Sequence, residues 1–364
     1  MRTFFYSGTF DPFTALDAEI VFNTLKEHAG SKVVIGLETD AEKPSLFSTA
    51  ERMDMIKQSI NWYAKKLSFN SQVDYLENIK VVSYRGLPIY EAQKHNATQF
   101  LIPQTDTENP KCDTKYTLSR QIARTILSYQ IGYCFCKADC LPEEITQSIK
   151  LCYKNHEYIM LAHFVTPPVH NKMMEHLLEK EYFECCRQSG ISWQKFCEEM
   201  STREYHNLSH IAYMLNLYRL RTSTDLLNDR VCMAAIFFHD YVADSEAKSF
   251  EASKLSESAR GLFMATKRPG KHLTELTADE RLIHDLDLAI LTDKVLYENY
   301  AYSIRMEYAD VAHDDYIEGR TQILENLKNE IVKRTAFTEK EKETALKNIQ
   351  KEIQYLKTGS WLTE

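Results

Sequence analysis

The sequence predicts an α/β domain with a parallel sheet, followed by an all-α helical bundle. Eight of the nine prolines lie at or before position 168, and only Pro269 follows them. Short β-branched apolar runs alternate with helical patterns in the first part, which is typical of βαβ units. Long amphipathic helical patterns fill the second part. The expected domains are therefore residues 1–172 and residues 173–364.

The first part contains four runs with the length and composition of strands: Thr3–Tyr6, Lys32–Gly36, Ile79–Tyr84 and Gln99–Ile102. Helical patterns separate these runs at Asp17–Ala29, Thr49–Trp62 and Leu87–Asn96. Strands that are connected through helices run parallel in a sheet. In the second part we expect helices at His206–Tyr218, Asp229–Phe238, Leu296–Val311, Tyr316–Lys333 and Glu339–Leu356.

The composition is that of an ordinary soluble protein, with 44% hydrophobic and 26% charged residues. A net charge of −8 argues against a general nucleic-acid binder, which needs a basic face. No apolar run approaches the roughly 18 residues of a membrane helix. The apolar patch at the N-terminus is too short for a signal peptide. We expect a cytoplasmic protein without nucleic-acid or membrane partners, and a homo-oligomer remains open.

Nine cysteines without a secretory signal favour reduced thiols. The spacing Cys134-x-Cys136-x-x-x-Cys140 invites a zinc interpretation. It lacks the usual Cys-x-x-Cys pair and a second pair at a fitting distance. We interpret these cysteines as small buried apolar side chains.

Imidazole and carboxylate side chains concentrate in the second part. His206 and His210 are four residues apart and would share a helix face. His239 and Asp240 follow the apolar run Ala234–Phe238, and Asp285 and Asp287 also lie in an apolar stretch. Burying such groups is costly unless a partner or a metal compensates. Nitrogen and oxygen ligands of this kind suit a hydrolytic divalent-metal site.

The first predicted strand runs into the turn Gly8–Thr14, whose backbone N–H groups and following helix could cradle a phosphate. This turn and the segment Lys43–Arg52 resemble phosphopantetheine adenylyltransferase and related cytidylyltransferase-like enzymes. The resemblance covers about residues 1–170 and implies a Rossmann-like nucleotidyltransferase fold. It also implies that Thr9, Asp11 and Thr14 contact a substrate.

The departures from that family fall where its phosphate chemistry takes place. Asp17 stands where the family has a histidine that stabilises the transferring phosphate. Pro103-Gln104 replaces an Arg-Gly pair, and Ala138–Pro142 replaces a serine-rich nucleotide-binding turn. A carboxylate beside a triphosphate repels the charge that it should neutralise. We expect adenylyl transfer to be lost, and the domain to bind a ligand or to serve as scaffold.

Five phrases in the second part resemble the HD superfamily of metal-dependent phosphohydrolases, from about residue 175 onwards. They are Tyr205-His206-Asn207-x-x-His210, Phe238-His239-Asp240, Asp285-x-Asp287, Ile304-Arg305-x-Glu307-Tyr308 and Gly319-Arg320. The closest likeness is to an uncharacterised branch of predicted hydrolases. The first phrase also resembles cyclic-nucleotide phosphodiesterases, in which the first histidine donates a proton and the second binds metal.

The resemblance implies a division of roles within an HD helical bundle. His210, His239, Asp240 and Asp287 would bind a divalent metal ion, with Mn, Mg, Fe, Co and Zn all open. His206 would be the general acid, and Asp240 would also bridge to a second metal if one binds. Asp285 would face away from the ligand side of its helix. The substrate would be a nucleotide or another small phosphorylated compound.

Some other residues support two interpretations. Arg305 and Arg320 would clamp a substrate phosphate through their planar forks. Arg305 has a second interpretation, an ion pair with Glu307 or another acid that holds helices together. Asp244, Glu246 and Glu251 would bind water or a second metal, or form a solvated loop. His272 follows a small basic patch, and its spacing departs from the branch pattern. Two rival functions remain: a non-catalytic nucleotide-sensing regulator and a bifunctional nucleotidyltransferase-hydrolase.

Overall fold

A computed structural model describes residues 2–39, 44–68, 74–105, 114–222, 226–241, 259, 261–262 and 276–359. The chain divides into two compact units. The N-terminal unit comprises Met1–His156 and Phe164–His170, and the C-terminal unit comprises Glu157–His163 and Asn171–Glu364. Whether residues 1–172 and 173–364 are separate domains stays a prediction.

The N-terminal unit alternates strands and helices. In chain order these are β1 (Thr3–Gly8), α1 (Ala15–Glu27), β2 (Lys32–Glu38), α2 (Thr49–Ser68), β3 (Ile79–Tyr84), α3 (Pro88–Lys94), β4 (Gln99–Gln104), α4 (Thr114–Thr125), β5 (Gly132–Lys137) and α5 (Pro142–Lys154). The strands form a five-stranded sheet in the order β3-β2-β1-β4-β5. Every pairing is parallel. The predicted Rossmann-like parallel sheet is therefore confirmed.

Successive residues of β1 enter different apolar cores on the two faces of this sheet. Phe4 and Tyr6 pack in one core with residues of α1 and α2. Phe5 packs in the other core with residues of α3 and α4. Side chains of a strand alternate between its faces, so a strand covered on both faces is apolar at nearly every position. This explains why the strand runs in the sequence are continuous rather than alternating.

The strand β5 was not among the predicted strands, because its sequence mixes cysteine, aromatic and polar residues. Gly132–Lys137 pairs with β4 at the edge of the sheet. Cys134 and Cys136 are partly buried and pack against the core around α1. These two thiols contribute to apolar packing, as small apolar side chains do.

The described part of the C-terminal unit is helical. The helices after α5 are α6 (Tyr158–Phe164), α7 (Pro167–Leu177), α8 (Glu179–Cys186), α9 (Trp193–Met200), α10 (Leu208–Arg221), α11 (Leu226–Phe238), α12 (Ala278–Asp287), α13 (Tyr297–Glu307), α14 (His313–Ile331) and α15 (Glu339–Thr358). One apolar core joins α13, α14 and α15. Among the described helices, none combines the length and apolar character needed to cross a membrane.

The predicted helix beginning at His206 begins two residues later. Asn207 is the N-cap of α10, and its side-chain oxygen accepts the N–H of Ser209 at 2.9 Å. Asparagine is a preferred cap because its carbonyl oxygen satisfies a free N–H of the first turn. His206 therefore lies outside the helix. The expectation that His206 and His210 share a helix face is wrong.

Candidate metal centre

Four side chains from three segments of the C-terminal unit converge. His210 lies in the first turn of α10, His239 and Asp240 follow α11 directly, and Asp287 is the last residue of α12. One nitrogen or oxygen atom from each of these four residues lies within 4.8 Å of the others. Residues 77 positions apart in the chain thus contribute to one group of possible ligands.

The separations between these atoms are unequal. Nε2 of His210 lies 3.1 Å from Nε2 of His239 and 3.0 Å from Oδ1 of Asp287. Nε2 of His239 lies 2.8 Å from Oδ2 of Asp240. The two diagonals, His210 to Asp240 and His239 to Asp287, are both 3.9 Å. The four atoms therefore form a quadrilateral with three short sides and two longer diagonals.

The histidines lie deeper than the carboxylates. The side chains of His210 and His239 are 1% and 2% exposed, whereas those of Asp240 and Asp287 are 21% and 36% exposed. The imidazoles are therefore fixed within the protein, while the carboxylate side of the group is open to solvent.

Hydrogen bonds at the far ring nitrogens orient both imidazoles. Nδ1 of His239 lies 2.6 Å from the carbonyl oxygen of Ile236, which can only accept, so Nδ1 carries a proton. Nδ1 of His210 lies 2.9 Å from the hydroxyl of Tyr205. The carbonyl of Ile236 fixes the tautomer of His239 and leaves its Nε2 as the ligating atom. The Tyr205 hydroxyl can donate or accept, so it orients the ring of His210 without fixing its proton. Both Nε2 atoms point into the four-residue group.

The electrostatics of the group favour a bound cation. Burial lowers the pKa of His239, but the charge and hydrogen bond of Asp240 outweigh it and raise that pKa to about 9. Burial raises the pKa of Asp240, yet the charge of His239 holds it well below its usual range. The hydrogen bond from His210 likewise outweighs burial and lowers the pKa of Asp287. Both carboxylates stay ionised, and positive charge between them is stabilised.

His206 lies next to this group and is paired with a glutamate that the sequence analysis did not assign. Nδ1 of His206 lies 2.5 Å from Oε1 of Glu307, the last residue of α13. The other oxygen of Glu307 accepts the backbone N–H groups of Tyr205 at 2.8 Å and His206 at 3.0 Å. The ring centroids of His206 and His210 are 5.9 Å apart. Glu307 thus fixes both the backbone and the ring of His206.

This pairing changes the proton affinity of His206. Burial lowers its pKa, but the hydrogen bond with Glu307 and the charge of Asp240 raise it above the ordinary value. Burial raises the pKa of Glu307, and the hydrogen bond with His206 more than offsets this, so Glu307 remains ionised. Since Nδ1 is engaged, Nε2 is the ring nitrogen that can exchange a proton with a substrate.

Arg203 is a second residue that the sequence analysis left unassigned. Its guanidinium donates to the carbonyl oxygens of Asp240 and, at 3.0 Å, of Tyr241. These carbonyls follow the end of α11, where backbone acceptors have no helical partner. Arg203 therefore holds the backbone at Asp240. The signal was present in the sequence, since Arg203 opens the stretch that contains His206 and His210.

Arg305 and Arg320 are not brought into the four-residue group. Nη1 of Arg305 donates to the carbonyl of Tyr308 at 2.6 Å, and its guanidinium lies over the ring of Tyr316 at 4.5 Å. Arg320 is buried and bound to Glu352 through two nitrogens, at 2.7 and 3.2 Å. In the structure both arginines make contacts between or within helices. A phosphate-clamping role for either one stays a prediction.

Asp285 also lies outside the group, facing another way on α12. Its Oδ1 is 2.5 Å from Nη1 of Arg334, and both side chains are at most 10% exposed. The i and i+2 spacing with Asp287 explains this, because such residues do not share a helix side. Asp244, Glu246, Glu251 and His272 lie outside the described residues.

The Asp285–Arg334 pair yields a stability prediction. Asp285→Asn removes the buried counter-charge of Arg334 and leaves only the more exposed Glu330, 3.3 Å from Nη2, so we expect the unfolding free energy of the C-terminal unit to fall by about 1–3 kcal/mol. Divalent-metal affinity of the folded protein should stay unchanged, because Asp285 contacts none of the four candidate ligands. Denaturant unfolding and metal titration of the same preparation check this. Loss of metal binding in the folded variant would contradict the placement.

The N-terminal candidates are engaged in folding the loop after β1. Asp11 accepts the backbone N–H groups of Leu46 and Phe47 at 2.8 and 3.1 Å, and the carbonyl of Thr9 accepts from Arg52 at 2.7 Å. Thr14 and Asp17 form a reciprocal capping box at the start of α1. The loop is therefore held by its own polar side chains. Lys43 lies outside the described residues.

Asp17 faces inward rather than towards solvent. It accepts the hydroxyl of Thr14 at 2.7 Å and the hydroxyl of the buried Tyr6. Burial raises the pKa of Asp17, and the bonds from Tyr6 and Thr14 offset part of that effect. Its carboxylate thus serves as a helix cap at the place where the resembling family has its histidine.

Thr14 should therefore contribute mainly to stability. Thr14→Ala removes the cap of α1, and we expect the unfolding free energy of the N-terminal unit to fall by about 0.5–2 kcal/mol. Thr125→Ala, which removes an exposed hydroxyl in the last turn of α4, should change it by less than about 0.5 kcal/mol. Denaturant unfolding of both variants measures the difference. Equal effects would argue against the capping role.

The fold and the loop after β1 define a nucleotidyltransferase-like unit, and the comparisons agree. A protein-family model described as cytidylyltransferase-like matches residues 5–109. A phosphopantetheine adenylyltransferase of Dictyoglomus turgidum is 31% identical over 134 residues, which are 34% of this chain and 82% of that protein. The chain belongs, through its N-terminal unit, to the cytidylyltransferase-like family.

Two further relatives carry the same name. The phosphopantetheine adenylyltransferase of Prochlorococcus marinus is 28% identical over 143 residues, covering 38% of this chain and 80% of the relative. That of Haemophilus ducreyi is 32% identical over 95 residues, covering 26% of this chain and 50% of the relative. The cytidylyltransferase-like match lies within the N-terminal unit, so the four-residue group of the C-terminal unit lies outside it.

Proposed function

We propose that the C-terminal unit is a metal-dependent phosphohydrolase of the HD type, acting on a nucleotide or another small phosphorylated compound. The observation that carries this proposal is the convergence of His210, His239, Asp240 and Asp287 on one point. The adjacent His206–Glu307 pair adds a proton donor of raised pKa. A ligand set beside a proton donor is what hydrolysis of a phosphate ester requires.

The donor set fits a divalent ion. Two imidazole nitrogens and two carboxylate oxygens, with separations of 2.8–3.9 Å among the five measured pairs, would hold Mn²⁺, Fe²⁺, Co²⁺, Mg²⁺ or Zn²⁺.

Residues of the chain would have distinct roles in hydrolysis. A bound divalent ion supplies a Lewis acid that polarises the phosphoryl oxygen and makes an attacking water more acidic. The water oxygen would bond to phosphorus as the bond to the leaving oxygen breaks, and the water's proton would pass to the Asp240 carboxylate that accepts its hydrogen bond. His206 gives its proton from Nε2 to that oxygen, while Glu307 holds the ring and stabilises its charged form. Asp240 lies beside His239, where it would accept a hydrogen bond from the water.

The test is a phosphatase screen on the full chain. The purified protein, stripped of metal and reloaded with Mn²⁺, Fe²⁺, Co²⁺, Mg²⁺ or Zn²⁺, is assayed against nucleotides and phosphate esters. We expect activity only in the reloaded protein, and none in His239→Ala. Activity that survives His239→Ala, or a protein that takes up none of these metals, would overturn the proposal.

A second candidate function, nucleotide sensing, concerns the N-terminal unit. Its family membership favours a nucleotide ligand, and the carboxyl ends of parallel strands at the β1–β4 switch point are the usual place for one. The inward-facing Asp17 argues against retained adenylyl transfer, since a carboxylate that caps a helix stands where the family has its histidine. Thermal stabilisation of the full chain by a nucleotide or a coenzyme A precursor would support sensing. Pyrophosphate release from ATP would instead favour a bifunctional enzyme.

A further inference from the structure

Among the described residues, Nδ1 of His210 makes its hydrogen bond with the hydroxyl of Tyr205, at 2.9 Å. The ring centroids of the two residues lie 4.8 Å apart. Nδ1 of His210 is the nitrogen opposite to the one that points into the four-residue group. A hydrogen bond at that nitrogen restricts the rotation of the ring. When the hydroxyl accepts from Nδ1, Nε2 is left free to bind a metal ion. The geometry of the candidate centre therefore depends on where the Tyr205 hydroxyl is held.

A backbone hydrogen bond and a ring contact are among the interactions that hold Tyr205. Its backbone N–H donates to Glu307 at 2.8 Å, which fixes the chain. Its ring meets the ring of Tyr300 edge to face, with centroids 4.7 Å apart and planes at 71°. Such pairs are directional, because the positive edge of one ring meets the negative face of the other. The position of Tyr300 thus determines the position of the Tyr205 ring.

Tyr300 is in turn held by a buried ion pair between α14 and α15. Nη2 of Arg320 donates to the hydroxyl of Tyr300 at 3.0 Å, and Nε donates to Glu352 at 2.7 Å. Glu352 also accepts the hydroxyl of Tyr297 at 2.7 Å. Arg320 and Glu352 are 7% and 1% exposed. Every charged group in this cluster has a partner.

A buried ion pair of this kind is weak evidence for stability. Removing two charges from water costs several kcal/mol per ion, and well-packed apolar residues often serve equally well. The pair does fix the position of the Tyr300 hydroxyl, because the planar guanidinium donates to Glu352 and Tyr300 in set directions. Arg320 is also buried and engaged, which leaves it poorly placed to bind a substrate phosphate.

We propose that Tyr205 is a positioning residue for the metal ligand His210, and that Arg320 acts through Tyr300 to hold Tyr205 in place. This inference rests on the proposed metal centre, and it assigns Arg320 a role different from a phosphate clamp. The Arg320–Glu352 pair lies in the last two described helices. Those helices therefore support the centre without supplying a ligand to it.

The test measures metal affinity, not only activity. Full-length Tyr205→Phe loses the hydroxyl and keeps the ring against Tyr300. We expect its affinity for Co²⁺, followed by visible absorption, to fall by about 10–100-fold, as is usual when a ligand loses its supporting partner. Tyr182→Phe is the matched control, because it removes another buried hydroxyl that bonds to the carbonyl of Ile191 at 2.9 Å. The control should bind Co²⁺ as the unmodified protein does.

A double-mutant cycle tests the contribution of Arg320. Arg320→Lys keeps a positive charge for Glu352 but cannot serve both Glu352 and Tyr300 in the same geometry. We expect Arg320→Lys to lose less Co²⁺ affinity than Tyr205→Phe does. It should cause no further loss when Tyr205→Phe is already present, because the effects of substitutions at residues connected by contacts are not additive. If Arg320 clamps phosphate instead, Arg320→Lys raises KM and leaves Co²⁺ affinity unchanged.

The outcomes separate this inference from the proposed function. An unmodified protein that binds no Co²⁺ overturns both. An unmodified protein that binds Co²⁺, with a folded Tyr205→Phe variant of equal affinity, overturns only the positioning role. Circular dichroism and thermal unfolding of the metal-free variants establish that each is folded. Additive losses in the cycle overturn the link from Arg320 to Tyr205.

Discussion

Asp240→Asn is expected to reduce metal affinity by more than about 100-fold and to remove metal-dependent phosphate release. Loss of a residue that merely supports a ligand costs about 10–100-fold in affinity, and loss of a ligating carboxylate should cost more. The substitution keeps the size of the side chain but replaces a charged ligand with a neutral amide. Calorimetric titration with Mn²⁺ or Co²⁺, together with the phosphatase assay, measures both effects.

Asp285→Asn is the matched control for this variant. Both substitutions remove one carboxylate charge from the C-terminal unit, but only Asp240 has an oxygen within the four-residue group. Asp285→Asn should lower stability through Arg334 and leave metal affinity unchanged. If Asp240→Asn binds metal as tightly as the unmodified protein, the four side chains do not form a metal centre.

Periodicity was enough to predict most of the N-terminal sheet. The four predicted strand runs all fall within observed strands. The runs in β1, β2 and β4 are continuous apolar segments, and the edge run Ile79–Tyr84 was recognised from its β-branched residues. The edge strand Gly132–Lys137 was not predicted, because its sequence mixes cysteine, aromatic and polar residues. An edge strand tolerates such a mixture better than a central strand does. Helix starts were the other weakness. The cap at Asn207 is a local hydrogen bond that a repeat of apolar residues does not reveal.

The members of the candidate centre could be named from the sequence, but their supports could not. His210, His239, Asp240 and Asp287 carry chemistry that an apolar segment would not otherwise tolerate. Glu307 lies in one of the phrases that resemble the HD superfamily, but the phrase gave it no role, since a glutamate at a helix end is usually solvated. Its role appears only when α13 brings it to within 2.5 Å of His206, 101 positions away.

Arg320 illustrates the opposite difficulty. An arginine beside a glycine in a family-like phrase suggests phosphate binding, because a guanidinium fork suits phosphate oxygens. The same fork suits a buried carboxylate, and Glu352 lies 32 positions further on, where no local pattern connects the two. Charge type limits the possible partners of a residue. Only the packing of α14 against α15 selects one of them.

His206→Asn is expected to slow hydrolysis of nucleotides and alkyl phosphates by about 10²–10⁴-fold, which is the usual contribution of a general acid. Hydrolysis of 4-nitrophenyl phosphate should change much less, because nitrophenolate leaves without being protonated. Metal affinity should stay unchanged, since His206 is not among the four candidate ligands. An equal loss for both kinds of substrate would show that His206 does not act as the proton donor.

Glu307→Gln should displace the pH dependence of the same reaction. The hydrogen bond with Glu307 and the charge of Asp240 overcome the effect of burial and raise the pKa of His206. A general acid works while protonated, so activity falls as the pH rises through that pKa. Glutamine replaces the carboxylate whose hydrogen bond raises the pKa of His206. That pKa should therefore fall, and the decrease in kcat/KM should move to lower pH. The fall should be absent from His206→Asn, and a profile unchanged by Glu307→Gln would mean that another group sets it.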